Sequence, residues 1–212
     1  MKFFTQVFVI LAMLCGGQVL AEPQAGKDYI LVNPPQPTNS GKKIEVLQFF
    51  YYPCPHCFRL DHFLKVWDKK LPKDVARVDE SAVFSASMEP MARTFYALEA
   101  LRQRHRLHDK LFDALHMKNM DLSEDASLIE FVVQQGVDRK KFTEAFNSPL
   151  TKVKWMRSGQ MGMDYGIRGT PTLIVDGRYM IYGLAPIETI EMLDFLVKKV
   201  RQERKEQAGK KS

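Results

Sequence analysis

The chain has 212 residues, 45% of them hydrophobic and 26% charged, which gives it enough apolar surface for a real core and excludes wholesale disorder. The formal net charge of +6 is concentrated at the end: residues 198–212 hold seven Lys and Arg against Glu203 and Glu206. The remainder is near neutral, so a nucleic-acid-binding face is not expected.

Residues 1–21 read as a secretory signal peptide. Lys2 supplies the charged start, residues 7–15 a short apolar centre, and Val19-Leu20-Ala21 a cleavage site. A membrane anchor fits less well, because Thr5, Gln6, Gly16, Gly17 and Gln18 interrupt the apolar run. Removal of this segment takes Cys15 with it and leaves Cys54 and Cys57 as the cysteines of an exported protein.

Residues 22–40 carry Pro23, Pro34, Pro35 and Pro37 and are expected to be extended, with an edge strand at 29–32. Residues 43–52 form an apolar, β-rich run, as in a strand covered on both faces. Cys54-Pro55-His56-Cys57 follows at once. Pro55 suits the first turn of a helix, and Leu60, Phe63, Leu64, Trp67 and Leu71 continue at helical spacing until Pro72. A second core strand is expected at 75–84.

From residue 88 to 165 the pattern is helical. Met91, Phe95, Leu98 and Leu101 form one stripe, and Leu107, Leu111, Phe112 and Leu115 another. Asp121 or Ser123 offers a cap for a third helix, which Gly136 ends; Asp138 caps a fourth; Pro149 begins a fifth. Strands then return at 172–175 and 178–182, joined by Asp176-Gly177 as a two-residue hairpin turn. A last helix at 186–200 presents Ile187, Ile190, Leu193 and Leu196 or Val197. The order β-α-β, helices, β-β-α predicts an α/β protein: a thioredoxin-like fold with an inserted all-helical domain. Its expected parts are a first thioredoxin-like segment at 22–87, the helical domain at 88–165, the second thioredoxin-like segment at 166–202, and a charged tail at 203–212.

A Cys-x-x-Cys at a strand-to-helix junction has three uses: a structural bridge, a metal site or thiol–disulfide exchange. A bridge closing four residues removes little unfolded-chain entropy, roughly 2 kcal/mol against ~3 for a fifteen-residue loop. Zinc would need His105 and His108 as the second pair, a spacing on an amphipathic helix that coincidence explains better. Redox chemistry is favoured, because the helix start stabilises a thiolate at Cys54. His56 is placed to donate a hydrogen bond or partial positive charge to that sulfur. His62 and His116 read as helix-surface residues. Gly159, Gly162 and Gly166 lack the register of a phosphate loop, and the methionines read as core, with Met161 or Met163 near Pro171.

The CPHC motif, the mid-chain helices and Gly169-Thr170-Pro171-Thr172 together resemble the DsbA family of periplasmic disulfide oxidases, over essentially all of the chain after residue 21. The resemblance implies that Cys54 is the acidic, substrate-facing nucleophile, Cys57 the buried resolving thiol and His56 the residue that tunes them. It implies a cis Pro171 facing the motif, with Thr170, Pro171 and Pro55 at the substrate site and the Thr170 backbone pairing with an extended client. The family often has an acid where this chain has Gln48; Asp61 matches a second family acid, so proton transfer from Cys57 is expected to rest on Asp61, Gln48 or water. Unfolded exported clients, a DsbB-like quinone-linked membrane reoxidant, a monomeric state and a periplasmic location are also implied, with no cofactor or metal. The alternatives are a reductase or isomerase on the same fold, or a non-catalytic peptide-binding chaperone.

Overall fold

The computed structural model of the chain describes residues 22–210; the segment read above as a signal peptide, residues 1–21, lies outside them. Five strands form one mixed sheet in the order β1-β5-β4-β2-β3. The inner strand β2 (Ile44–Phe50) is buried along its whole length, as its apolar run predicts. It pairs in parallel with β3 (Val75–Ser81) through α1 (Pro55–Asp68), and antiparallel with β4 (Thr172–Val175). Strand β5 (Tyr179–Tyr182) joins β4 to the short edge strand β1 (Ile30–Leu31).

Alternation along β2 serves two layers. Ile44 and Val46 pack with Leu60, Leu64 and Trp67 of α1 and with Leu193, Leu196 and Val200 of α7 (Pro186–Gly209). Leu47 and Phe49 face the other way, onto Val32, Ile174 and Tyr165. Phe50 ends the strand inside a third core, where its ring meets Phe95 at 5.5 Å. That core belongs to the insertion, made of α2 (Glu89–Ala100), α3 (Arg104–His116), α4 (Asp125–Gln134), α5 (Arg139–Phe146) and α6 (Pro149–Asp164). Among the described residues no helix is long and apolar enough to cross a membrane.

Several boundaries differ from the sequence expectation. Strand β3 stops at Ser81, because β2 ends at Phe50 and Ala82 makes the last bond to it. The cap of α4 is Glu124; Asp121 instead accepts from the Ser123 N–H in a local turn. Asp138 does cap α5, accepting from the Lys141 N–H. Phe63 and Ile187 fit the apolar periodicity yet are 38% and 60% exposed, and Asp61 takes a buried place on α1. The β4–β5 connection has three residues, since Val175 pairs with Tyr179. Asp176 and Gly177 both have positive φ there, and a β-carbon on Gly177 would lie 2.0 Å from the Gln36 carbonyl oxygen. Helix α7 continues past Val200 to Gly209. Glu203 accepts from the Tyr179 hydroxyl, and Arg204 bonds to the Lys42 carbonyl, holding its last turns on the sheet.

Candidate active site

Cys54 lies at the carboxyl end of β2 and is the N-cap residue of α1, with Pro55 in the first helical turn. The turn leading to it is closed by the Cys54 N–H donating to the Tyr51 carbonyl at 2.9 Å. Cys57, one turn further in, is fully buried, whereas Cys54 is half-buried; both stand as free thiols. The Thr170-Pro171 peptide is cis, and the Thr170 carbonyl lies 3.3 Å from Cys54 Sγ, accepting from it when the sulfur is protonated. Thus residues 116 apart meet at one sulfur. The Thr172 hydroxyl donates to the Gly169 carbonyl at 2.8 Å, and Gly169 sits so close beneath Tyr182 that a β-carbon would meet its hydroxyl at 2.8 Å. These contacts fix the loop that carries Pro171.

The two sulfurs are driven apart electrostatically. A hydrogen bond from the Cys57 thiol is the largest influence on Cys54, aided by the Thr170 side chain and by the backbone N–H groups of Cys57 and His56; against partial burial they bring its pKa from 9.0 down to about 5. Burial pushes Cys57 far above the usual thiol range, and the hydrogen bond and charge of the Cys54 sulfur push it further. One thiol is therefore ionised at neutral pH and its neighbour is not.

His56 is exposed, and its imidazole faces Arg59, whose Nη2 donates to Nδ1 at 2.9 Å. The His56 group acting on Cys54 in this arrangement is its backbone N–H. His56, Arg59, Thr170 and Pro171 line one cleft of about 410 Å³, closed by apolar side chains including Leu173, Ile181 and Leu184. Pro55 is exposed beside it at the helix start.

Asp61 and Gln48 are both buried, at 6% and 4% exposure, and both are engaged. Asp61 pairs with His108 Nε2 at 3.0 Å and with Lys65 Nζ at 2.6 Å. Burial raises its pKa, but the hydrogen bonds and charges of His108 and Lys65 outweigh this and hold the carboxyl below its usual range. Gln48 Oε1 accepts from Arg77 Nη1 at 2.8 Å. Gln48 lies opposite Asp79 on β3, and Asp79 is held between Arg77 and Arg104. The negative charge in this layer thus sits one strand away from Gln48.

Two histidines were missed by sequence reasoning. His116 is partly buried; its Nε2 donates to the Tyr52 carbonyl at 2.7 Å and its ring stacks on Phe58 at 4.8 Å. That corrects the expectation of a surface residue, while His62 is indeed exposed. His108 bonds to the Tyr52 hydroxyl through Nδ1 at 2.9 Å. A tautomer protonated at Nε2 satisfies both of its contacts, accepting from Tyr52 and donating to Asp61. The signal was available: residues 108, 112 and 116 share a helix face with buried Phe112. His105 is exposed, and among the described residues the only His/Cys/Asp/Glu group with ligand atoms within 4.8 Å of one another is Asp61, His108 and Asp109, into which Lys65 is already bonded.

Comparison with known proteins agrees with this geometry. Residues 45–193 match the model of the DSBA-like thioredoxin domain. The thiol:disulfide interchange protein DsbA of Pseudomonas aeruginosa is 33% identical over 180 residues, 84% of this chain and 85% of that one. Its namesake from Bordetella parapertussis is 38% identical over 159 residues, 75% and 76% of the two chains. The crystal structure of Pseudomonas aeruginosa DsbA superposes with a TM-score of 0.82 at 32% identity, over 86% of this chain and 97% of that one. The oxidoreductase DsbA from Xylella fastidiosa gives 0.81 at 31%, over 86% and 100%. With the fold, an acidic cysteine at a helix start and a cis proline against it, the chain belongs to the DSBA-like thioredoxin domain family and is a thiol:disulfide oxidoreductase.

Proposed function

We propose that the protein is an oxidase, donating a Cys54–Cys57 disulfide to reduced, newly exported proteins. The observation that carries this is the opposed titration of the two sulfurs. A thiolate held at Cys54 stabilises the folded dithiol form relative to the disulfide, so the disulfide is readily given away. Each pKa unit below ambient pH adds about 1.4 kcal/mol, or about 30 mV for a two-electron couple.

A client thiolate attacks Cys54 Sγ. The Cys54–Cys57 bond breaks, a client–Cys54 bond forms, and Cys57 leaves and takes up a proton. A second client thiolate attacks the client sulfur of this mixed disulfide, and Cys54 leaves as the stable thiolate. The client loses two electrons and the Cys54–Cys57 pair gains them. His56 tunes the Cys54 sulfur. Pro55, Thr170 and Pro171 bound the client site, with the Thr170 backbone offering an edge to an extended segment. Proton transfer to and from Cys57 is assigned to Asp61, acting through its hydrogen-bonded neighbours, with Gln48 in the adjoining polar layer. The protein is reoxidised by a DsbB-like, quinone-linked membrane partner, works as a monomer, and acts in the periplasm after loss of residues 1–21.

The decisive experiment is the redox equilibrium of the mature protein with glutathione, with the Cys54 thiolate titrated in parallel. An oxidase gives a couple more oxidising than glutathione and a Cys54 pKa near 5. A couple more reducing than glutathione would instead assign a reductase. In a complementary test, Cys57→Ser accumulates mixed disulfides through Cys54, visible on a non-reducing gel. Their absence, or activity that survives alanine at both cysteines, points to a non-catalytic peptide binder.

A further inference from the structure

We infer that Arg59 gives the client cleft a charge preference, favouring reduced polypeptides with an acidic side chain beside the reacting cysteine. The inference rests on the disulfide-donating reading above and adds the class of client to it.

The geometry begins with α1. Residues three apart on a helix lie on one face, so His56 and Arg59 stand side by side along the wall that follows Cys54. Both line the cleft together with Thr170 and Pro171. A guanidinium has donors and no acceptor, so in its 2.9 Å contact His56 Nδ1 must accept, and the imidazole is uncharged in that pairing. Arg59 therefore carries the permanent charge of this wall. Among the described residues, none that lines the cleft is acidic.

Among the described residues Arg59 has no carboxylate within the 4.0 Å of an ion pair. Glu188, the acidic residue in the first turn of α7, is turned back on its own helix and accepts from the Ala185 N–H at 2.9 Å. Arg168, two residues before Thr170, is exposed and also without an ion pair among the described residues, so the loop facing α1 adds charge of the same sign. The start of α1 contributes its positive dipole end. An extended client crossing Thr170 would thus lay its residues next to Cys54 against Arg59, in a cleft of mixed polar and apolar lining, and an acidic side chain supplies the missing partner.

An acidic neighbour also raises the pKa of the client's own cysteine and slows its attack, so absolute rates are not diagnostic. The test is a charge-swap cycle. Two dithiol peptides, identical except for Asp or Lys flanking the first cysteine, are oxidised in single turnover by the disulfide form of the mature protein, of Arg59→Gln and of Arg59→Lys. The ratio of the Asp rate to the Lys rate should fall about two- to five-fold in Arg59→Gln, the range of an exposed ion pair. It should be retained in Arg59→Lys, and should shrink at high salt. An effect of Arg59 through the Cys54 thiolate moves both peptides equally and shifts the glutathione equilibrium; an unchanged ratio of this kind overturns the inference. Failure of the unaltered protein to oxidise either peptide would instead remove the disulfide-donor function, and the inference with it.

Discussion

The asymmetry of Cys54 and Cys57 is produced over four residues. The N-cap position exposes one sulfur to backbone N–H groups, and one helical turn buries the other completely. Those N–H groups survive any side-chain change, which sets the scope of His56. In His56→Leu the backbone donor remains, while the imidazole and its bridge to Arg59 are lost. The expected outcome is a small rise in the Cys54 pKa, far short of a return to 9.0, and a couple more reducing by about 30 mV for each pKa unit gained. Thiolate absorbance and glutathione equilibration read both quantities, and an unchanged pair of values would reduce His56 to a spacer. The cysteines, His56 and Pro55 were legible because they are contiguous. Thr170 and Pro171 were recognised only through the family resemblance, since no spacing argument joins residues 116 apart. Arg59 went unnoticed because an exposed arginine carries no signal until its partner is seen, and His116 was read as a surface residue because the face it shares with His108 and buried Phe112 was not weighed.

Helices α1 and α3 meet through polar as well as apolar groups near the site: beside the contact of Phe58 with Phe112, Asp61, Lys65, His108 and Tyr52 are linked in one chain of contacts. Asp61 is the member with two cationic or hydrogen-bonding neighbours and little exposure. Asp61→Asn keeps its volume and removes its charge. Client oxidation should slow about tenfold, with the acidic limb of the pH–rate profile displaced, and folding stability should drop by about 1–3 kcal/mol, because the single amide oxygen left can accept from only one of Lys65 and His108. Stability lost without any change in rate or pH profile would make Asp61 a structural bridge between the two helices. The apolar stripes of the insertion were readable from periodicity, because most helices there are covered on one side; α2, buried from Thr94 through Leu98 without a break, is the exception. Periodicity failed at Phe63 and Ile187, which keep helical spacing but form an open apolar groove between α1 and α7 beside Trp67. Spacing reports which face is apolar, and the neighbour that covers it is a tertiary fact. The length of α7 was missed for the same reason: its charged last turns look solvated in sequence, yet pair with Arg178, Asp176 and Tyr179 on the sheet.

The insertion is joined to the sheet by the active site itself. Phe50, Tyr52 and Cys57 belong to the same packed core as Phe95, Leu111 and Phe112 of the helices, so the environment that keeps Cys57 protonated is built by both parts of the chain. Redox state and folding stability are consequently linked, and the link has a definite pH window. Cys54 has a folded pKa of about 5 against an ordinary 9.0. Such a depressed value contributes stability that is complete above about pH 9, shrinks between 9 and 5, and is gone below 5. Cys57 acts in the opposite sense, but only above about pH 9, where the unfolded thiol ionises and the buried one does not. The disulfide form has neither group. Between about pH 4 and 8 the melting temperature of the reduced protein minus that of the oxidised protein should therefore rise with pH, most steeply above 5. Cys54 is only partly buried, so the gain is smaller than an unscreened charge would give. Calorimetric or optical melting of the two forms across that range measures the difference directly. A flat difference would mean that the Cys54 thiolate does not stabilise the folded protein, and would remove the thermodynamic reason for the disulfide to be given away.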